Sequence, residues 1–143
     1  MKLQTLASLK PVRAAFCVAA LAAAGFAWSD EIKVTLSGGE EVPPVMTSAS
    51  GSGTIVINPD KSVSGSVTTS GIAAVAAHIH EAAAGMNGAV IVPMTKSGDN
   101  AWTVVPGAKL SDSQYDSYKA GKLYVNVHSA ANKAGEIRGQ IKP

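Results

Sequence analysis

Cysteine is almost absent from this sequence of 143 residues, and the single one, Cys17, lies in an apolar run near the N-terminus. From Trp28 onwards the chain contains none. A disulfide bond and a metal site built on thiolates are therefore excluded for that part of the chain. Its stability has to come from packing alone.

Aromatic residues are also scarce, at 5% of the chain, and charged residues make up only 15%. Apolar residues account for 46%, which is typical of a globular protein and excludes a disordered one. The length suits one domain and is too short for two. Because large rings are few, the core has to be built from small and β-branched side chains.

The N-terminal segment has the features of an export signal. Its uncharged apolar run at 14–24 is preceded by three basic residues, Lys2, Lys10 and Arg13. The run is shorter than the roughly 20 residues that a membrane span needs, and it ends in a small-x-small pair, Gly25 and Ala27. We predict that residues 1–27 are a cleaved signal peptide, which leaves 28–143 as one periplasmic or secreted domain without a membrane span. A retained N-terminal anchor helix is the alternative.

The excess of positive charge depends on the same segment. The chain has 12 basic and 10 acidic residues, and residues 1–27 contain three of the basic ones and none of the acidic ones. Removal of this segment leaves a net charge of −1. No cluster of Lys and Arg interleaved with aromatic residues exists, so nucleic acid is excluded as a partner.

The rest of the chain consists of short β-rich segments separated by turns. In the first, Ile32, Val34 and Leu36 alternate with polar residues, which is the period of a half-buried strand. The segment 111–120 starts with an N-cap residue and is followed by Gly121, which predicts a short helical turn. The predicted strands are 32–36, 54–57, 63–68, 76–82, 89–94, 102–105, 122–128 and 136–141. Eight strands at this spacing predict an all-β, eight-stranded antiparallel sandwich or Greek-key barrel.

Three histidines follow Trp28, namely His78, His80 and His128. Alternation along a strand places His78 and His80 on the face opposite Ile79, and His128 on the face opposite Val127. If the two strands are neighbours, the three imidazoles meet outside the apolar layer. Imidazoles without thiolate suit copper or zinc, so the pattern predicts a metal site. The alternatives are histidines that are merely solvated on an exposed face, and a strand-end histidine that hydrogen-bonds to a loop carbonyl.

Four other side chains have potential roles beside the histidines. Met86, on the loop after His80, offers a thioether that favours Cu(I), with loop packing as the alternative. Asn126 is predicted to orient an imidazole or simply to face water. Glu136 and Arg138 share a polar face and are expected to pair with each other or to hold a neighbouring strand.

Patterns of catalytic residues are missing from the sequence. It contains no Ser-His-Asp order, no Gly-x-Ser-x-Gly elbow and no glycine loop that would cradle phosphate. No pair of carboxylates is placed for acid–base chemistry. We therefore predict no catalytic residues and favour a protein without enzymatic activity.

Several motifs resemble the CHRD domain, a family named after the repeats of chordin and common in secreted bacterial proteins. They are VTLSG at 34–38, EVPP at 41–44, AHIH at 77–80, NG at 87–88, LYVNVHSAAN at 123–132 and GEIRGQI at 135–141. The resemblance covers essentially the whole chain after the signal. The chain departs from many members at Glu81, where they have Gly, and at Lys133, where they have Pro. Glu81 adds a carboxylate near the predicted ligands.

The CHRD family is in turn similar to Cu/Zn superoxide dismutase, an eight-stranded Greek-key barrel with a His-x-His copper pair followed by Glu. His78, His80 and Glu81 match that local pattern, and His128 matches a later copper ligand. The dismutase also has a histidine that bridges to zinc, zinc ligands and a disulfide, which this chain cannot reproduce. The resemblance thus implies a copper-like site more than it implies dismutation.

Three functions follow from these observations. The first is an exported protein that binds copper through His78, His80 and His128, for copper binding, delivery or buffering, with zinc as the less favoured metal. The second is a metal-free interaction or adhesion module of the chordin type, whose partner is another extracytoplasmic protein. The third is a copper-only redox enzyme that resembles superoxide dismutase.

Overall fold

A computed structural model describes residues 29–143 of the chain. The predicted signal peptide at 1–27, with Cys17, lies outside the described residues and stays a prediction. Within residues 29–143 there are two short helical elements, a 3₁₀ turn at Gly38–Glu40 and helix α1 at Asp112–Lys119. The strands are β1 (Asp30–Ser37), β2 (Ser50–Ile57), β3 (Val63–Ser70), β4 (Ala74–Glu81), β5 (Ala89–Lys96), β6 (Ala101–Val104), β7 (Leu123–Ser129) and β8 (Ile137–Ile141).

The eight strands form a closed barrel in the order β1-β2-β3-β6-β5-β4-β7-β8. Every neighbouring pair is antiparallel, and the barrel closes where Ser37 on β1 pairs with Arg138 on β8. The predicted all-β, eight-stranded antiparallel fold is confirmed. The order is compatible with a Greek key, because β3 lies beside β6 and not beside β4.

The barrel interior is filled by every second side chain of the strands, as the alternation in the sequence predicts. Most of these side chains are aliphatic, as the composition predicts. The fully buried ones include Leu36, Ile55, Ile57, Val67, Ile79, Val125, Ile137 and Ile141. Each of these side chains contributes roughly 1.5–3 kcal/mol through its removal from water.

Helix α1 begins and ends where its sequence signals predict. The Ser111 side chain accepts a hydrogen bond from the backbone N–H of Gln114, and the Gln114 side chain accepts one from the N–H of Ser111. Two groups that would otherwise lack partners at the helix start are thereby satisfied. Tyr118 is buried and donates its hydroxyl to Asp30 Oδ2 at 2.8 Å, which ties the helix to β1.

Strand β2 begins earlier than its sequence indicated. The segment from Gly51 to Gly53 is typical of a turn at the strand entry, yet it pairs along its length with β3. The reason is a close approach of the two backbones, since a Cβ at Gly53 would stand 2.1 Å from Ser66 O. Gly53 is needed because the close approach of β2 and β3 leaves no room for a side chain, and it does not mark a turn.

The outer face of β7 is covered rather than exposed. All seven residues of this strand are buried. Segments after β1, between β4 and β5 and between β7 and β8 lie over it, because Asn126 bonds to Glu41 and Ala134, and Tyr124 bonds to Gly88. A second, polar layer therefore exists outside the barrel wall, and the three histidines belong to it.

Candidate metal site

The histidines come together because β4 and β7 are direct neighbours. In their antiparallel register His78 pairs with Asn126, and Ala76 pairs with His128. His128 therefore lies two residues along from the partner of His78, on the same outer face. One ring nitrogen from each of His78, His80 and His128 lies within 4.8 Å of the others. The expected convergence of the rings outside the barrel wall is confirmed.

The cluster is compact and mostly shielded from water. His78 Nδ1 and His128 Nε2 are 3.1 Å apart, and the ring centroids of His80 lie 5.7 Å from His78 and 5.8 Å from His128. His80 and His128 are each only 8% exposed, and His78 is half-buried. The alternative of freely solvated histidines is therefore wrong for His80 and His128.

Two backbone carbonyls determine which nitrogens are free. His80 Nδ1 lies 3.0 Å from Gly88 O, and His128 Nδ1 lies 3.0 Å from Lys133 O. Because a carbonyl only accepts, both Nδ1 atoms carry the hydrogen, and each Nε2 keeps its lone pair. His80 Nε2 is buried without a hydrogen-bond partner among residues 29–143. It is the kind of orphaned atom that a metal ion would satisfy.

Burial keeps the imidazoles neutral. It is the main cause that lowers the pKa of His78, His80 and His128 below the ordinary 6.5. The neighbouring rings lower the pKa of His78 further, whereas the carbonyl bonds to His80 and His128 oppose the effect. Neutral imidazole is the form that binds a metal. Nitrogens about 2.0–2.1 Å from one ion stand about 3–4 Å apart, so modest ring rotations suffice here.

The sequence model of the CHRD domain matches residues 32–141, which run from within β1 to the end of β8. The chain belongs to the CHRD domain family. CHRD is an extracellular domain family, which is consistent with secretion. Searches of the curated proteins and of the solved structures gave no match, so similarity to Cu/Zn superoxide dismutase stays a prediction. Within residues 29–143 the helices are too short or too polar to cross a membrane.

One side of the histidine cluster of this CHRD domain opens to an apolar cavity of about 460 Å³. His78 and His128 form part of its wall, and Val75 and Val90 at its sides are 61% and 49% exposed. Of the described residues that line it, Lys133 is the one that carries a charge. A ligand from solvent therefore reaches the cluster across an apolar surface.

Two other predicted residues, Met86 and Glu81, make no hydrogen bond to the three rings within residues 29–143. Met86 is on the β4–β5 loop with 62% of its surface exposed, and its backbone N–H donates to Ala83 O. Glu81 pairs with Leu123, a core residue, so alternation places it on the face opposite His80. Their roles as an additional ligand and as a nearby carboxylate stay predictions.

Asn126 is buried, but its hydrogen bonds go to Glu41 and Ala134. The carbonyls of Gly88 and Lys133 orient the rings instead. A bond from the strand-end His128 to a loop carbonyl is one of the expected alternatives, whereas the Gly88 carbonyl was missed. Tyr124 was missed in the same way: its ring stacks on His80 with centroids 5.0 Å apart, and its hydroxyl accepts from Gly88 N–H. A backbone carbonyl leaves no signature in a sequence, because every residue has one.

The expected pairing of Glu136 with Arg138 is wrong. Among the described residues, Glu136 accepts a hydrogen bond from Thr47 at 2.8 Å and makes no ion pair with Arg138. The guanidinium of Arg138 instead stacks on Tyr124, 3.4 Å from the ring centroid, and donates to Ala83 O. The stack draws Arg138 away from Glu136 and binds β8 to β7. This agrees with the alternative expectation that these residues hold a neighbouring strand.

Proposed function

We propose that this CHRD domain binds a copper ion outside the cytoplasm through His78, His80 and His128. The observation that carries the proposal is the convergence of three ring nitrogens within 4.8 Å of one another. Two of the rings, those of His80 and His128, have a hydrogen-bonded Nδ1 and keep the lone pair on Nε2, which is the state that a ligating histidine requires.

The chemistry of the donor set favours copper. Three neutral imidazoles suit first-row transition metals, and among the divalent ions Cu(II) binds such sites most tightly. The resemblance to the copper pair of superoxide dismutase points the same way, and zinc is the second choice. The half-buried His78 and the cavity beside it leave one side of the ion accessible, which supports binding, delivery or buffering of copper.

A direct test is titration of the purified protein with Cu(II), and with Cu(I) under reducing conditions. His128→Ala removes one of three ligands, so we expect its dissociation constant to rise at least 100-fold. Lys109→Ala changes an exposed residue outside the cluster and serves as the control. Equal affinity of the wild type and His128→Ala would show that the histidines do not form the site.

A specific observation favours a second candidate, a module that binds another extracytoplasmic protein. Among residues 29–143 the exposed large hydrophobic residues are Met46, Val75, Met86 and Val90, and two of them, Val75 on β4 and Val90 on β5, line the apolar cavity beside the histidines. Isolated apolar residues are normal on a surface, but two at the wall of one apolar cavity are typical of an interaction site. Protein binding that persists in His128→Ala and without metal would favour this candidate.

A further inference from the structure

Beside the histidines lies a buried pair that the proposed function does not use. Glu41 follows the 3₁₀ turn after β1 and is 5% exposed, and Asn126 on β7 is 2% exposed. Asn126 Nδ2 donates to Glu41 Oε2 at 3.4 Å and to Ala134 O at 3.5 Å. The pair thus joins the segment after β1 to β7 and to the loop between β7 and β8.

Two oxygens of this pair lack partners. Glu41 Oε1 and Asn126 Oδ1 are buried and have no hydrogen bond within residues 29–143. They converge on one place, because a Cβ at Gly135 would stand 2.3 Å from Asn126 Oδ1 and 2.5 Å from Glu41 Oε1. Two facing acceptors with no hydrogen between them repel each other, and each unpaired buried oxygen costs about 1–3 kcal/mol.

We propose that Glu41 is a protonated carboxylic acid in the folded protein, and that Oε1–H donates to Asn126 Oδ1 while Asn126 Nδ2–H donates to Oε2. The acid and the amide then form a cyclic pair with two hydrogen bonds. A single proton taken up from solvent satisfies both orphaned oxygens.

The charges around the pair favour a proton over a metal ion. Arg138 on β8 faces Glu41, and Lys133 lines the cleft that Glu41 also lines. Asn126 on β7 is neutral, and Glu136 of the β7–β8 loop is engaged with Thr47. Arg138 opposes the uptake of any cation, a proton included, but a proton neutralises the carboxylate whose charge burial penalises. Burial raises the pKa of Glu41 from 4.5 to about 7, although Arg138 and the Asn126 hydrogen bond lower it.

The pair also positions a histidine, and this step rests on the proposed function. Asn126 holds Ala134 O, and the preceding residue, Lys133, provides the carbonyl that binds His128 Nδ1. A closed acid–amide pair therefore fixes the loop that keeps His128 Nε2 free for a metal. Glu41 is a positioning residue, because it acts through Asn126 and this loop.

The protonation is tested first on the metal-free protein, by carbon-13 NMR of the Glu41 side-chain carboxyl across pH 3–9. We expect its midpoint near 7, together with an infrared C=O band of a protonated acid at pH 5.5 that disappears in Glu41→Gln. Glu40→Gln, a change at the exposed neighbouring residue, leaves both signals in place. A midpoint at the ordinary 4.5 of glutamate overturns the proposal.

The positioning role is tested with two variants at Glu41. The amide that Glu41→Gln introduces can donate from its nitrogen to Asn126 Oδ1 and accept at its oxygen. This variant should therefore keep copper affinity within twofold of the wild type. Its copper affinity should no longer change as the pH crosses the titration midpoint of Glu41. Glu41→Ala removes the partner of Asn126 Oδ1 and one acceptor of Asn126 Nδ2, and it should weaken copper binding 10–100-fold. Equal losses in the two variants would overturn the positioning role. A raised Glu41 midpoint in a protein that binds no copper would support the acid–amide pair and refute the proposed function.

Discussion

His78 Nδ1 lies 3.1 Å from His128 Nε2, although the two residues are 50 positions apart and lie on different strands. The bond from His128 Nδ1 to Lys133 O leaves Nε2 as an acceptor, so His78 Nδ1–H is the donor between the rings. The cluster thus holds the rings of His78 and His128 at a nearly ligating separation. This preorganisation reduces the entropic cost of ordering the rings when a metal binds.

Copper should stabilise the protein through this cluster. With free Cu(II) at 100 times its dissociation constant, a ligand that binds only the folded state adds about 2.7 kcal/mol to the free energy of unfolding. Thermal unfolding with and without Cu(II) measures the gain as a rise in Tm. We expect His80→Ala to abolish the copper-dependent rise, since it removes the orphaned Nε2. The same rise in the variant would contradict the assignment of His80.

Acid should destabilise the metal-free protein below about pH 6.5. The pKa values of His78, His80 and His128 are lowered in the folded state, so the unfolded chain binds more protons as the pH falls through 6.5. The stability that the neutral rings contribute is complete above 6.5 and is lost towards their folded-state pKa values. Copper affinity should fall over the same range, below about pH 6, because protonated imidazole does not ligate.

The acid–amide pair of Glu41 and Asn126 should change the free energy of unfolding with pH in the opposite direction to the histidines. Because the pKa of Glu41 is raised to about 7, its contribution is present below 4.5 and is lost as the pH rises from 4.5 to 7. Urea unfolding of Glu41→Gln should therefore show a steeper loss of stability in acid than the wild type does. A parallel pH dependence in the two proteins would contradict the raised pKa of Glu41.

Gly135→Ala should destabilise the fold by about 3 kcal/mol. Gly135 has φ +138°, and its new Cβ would meet the oxygens of Glu41 and Asn126. Gly107 provides a matched control, since it also has a positive φ, +79°, but a Cβ there meets nothing within 4 Å. Gly107→Ala should cost only about 1 kcal/mol from backbone strain. Equal losses in urea unfolding would show that the clash at Gly135 is relieved cheaply.

Replacement of Arg138 should destabilise the covered outer face of the barrel. Arg138→Met keeps the length of the side chain but loses the stack on Tyr124 and the hydrogen bond to Ala83 O, at a cost of about 2–3 kcal/mol. Since Arg138 lowers the pKa of Glu41, the NMR midpoint of Glu41 should rise in this variant. Arg138→Lys keeps the positive charge but loses the planar stack. It should therefore have a Glu41 midpoint close to that of the wild type and still be less stable. Unchanged unfolding of Arg138→Met would indicate that the stack contributes nothing.

The eight strands and the outward direction of the histidines were predictable from local sequence. Alternation along a strand has a period of two, so Ile79 in the core already places His78 and His80 on the other face. The start of α1 at Ser111 and the stop at Gly121 were equally local, because capping depends on residues within one turn. The start of strand β2 was less predictable. It depends on the close contact of Gly53 with β3, a strand that follows later in the chain.

The sequence by itself therefore determined the barrel strands, their inner faces and the three available imidazoles. Only the tertiary structure decided that β4 lies beside β7, that loops cover the outer face, and that His80 and His128 are buried. Glu41 and Asn126 meet across 85 positions of sequence, and the carbonyls of Gly88 and Lys133 are chemically the same as any other. The physical reason is that alternation acts between neighbours along the chain, whereas burial and hydrogen bonding depend on what the closed barrel brings together.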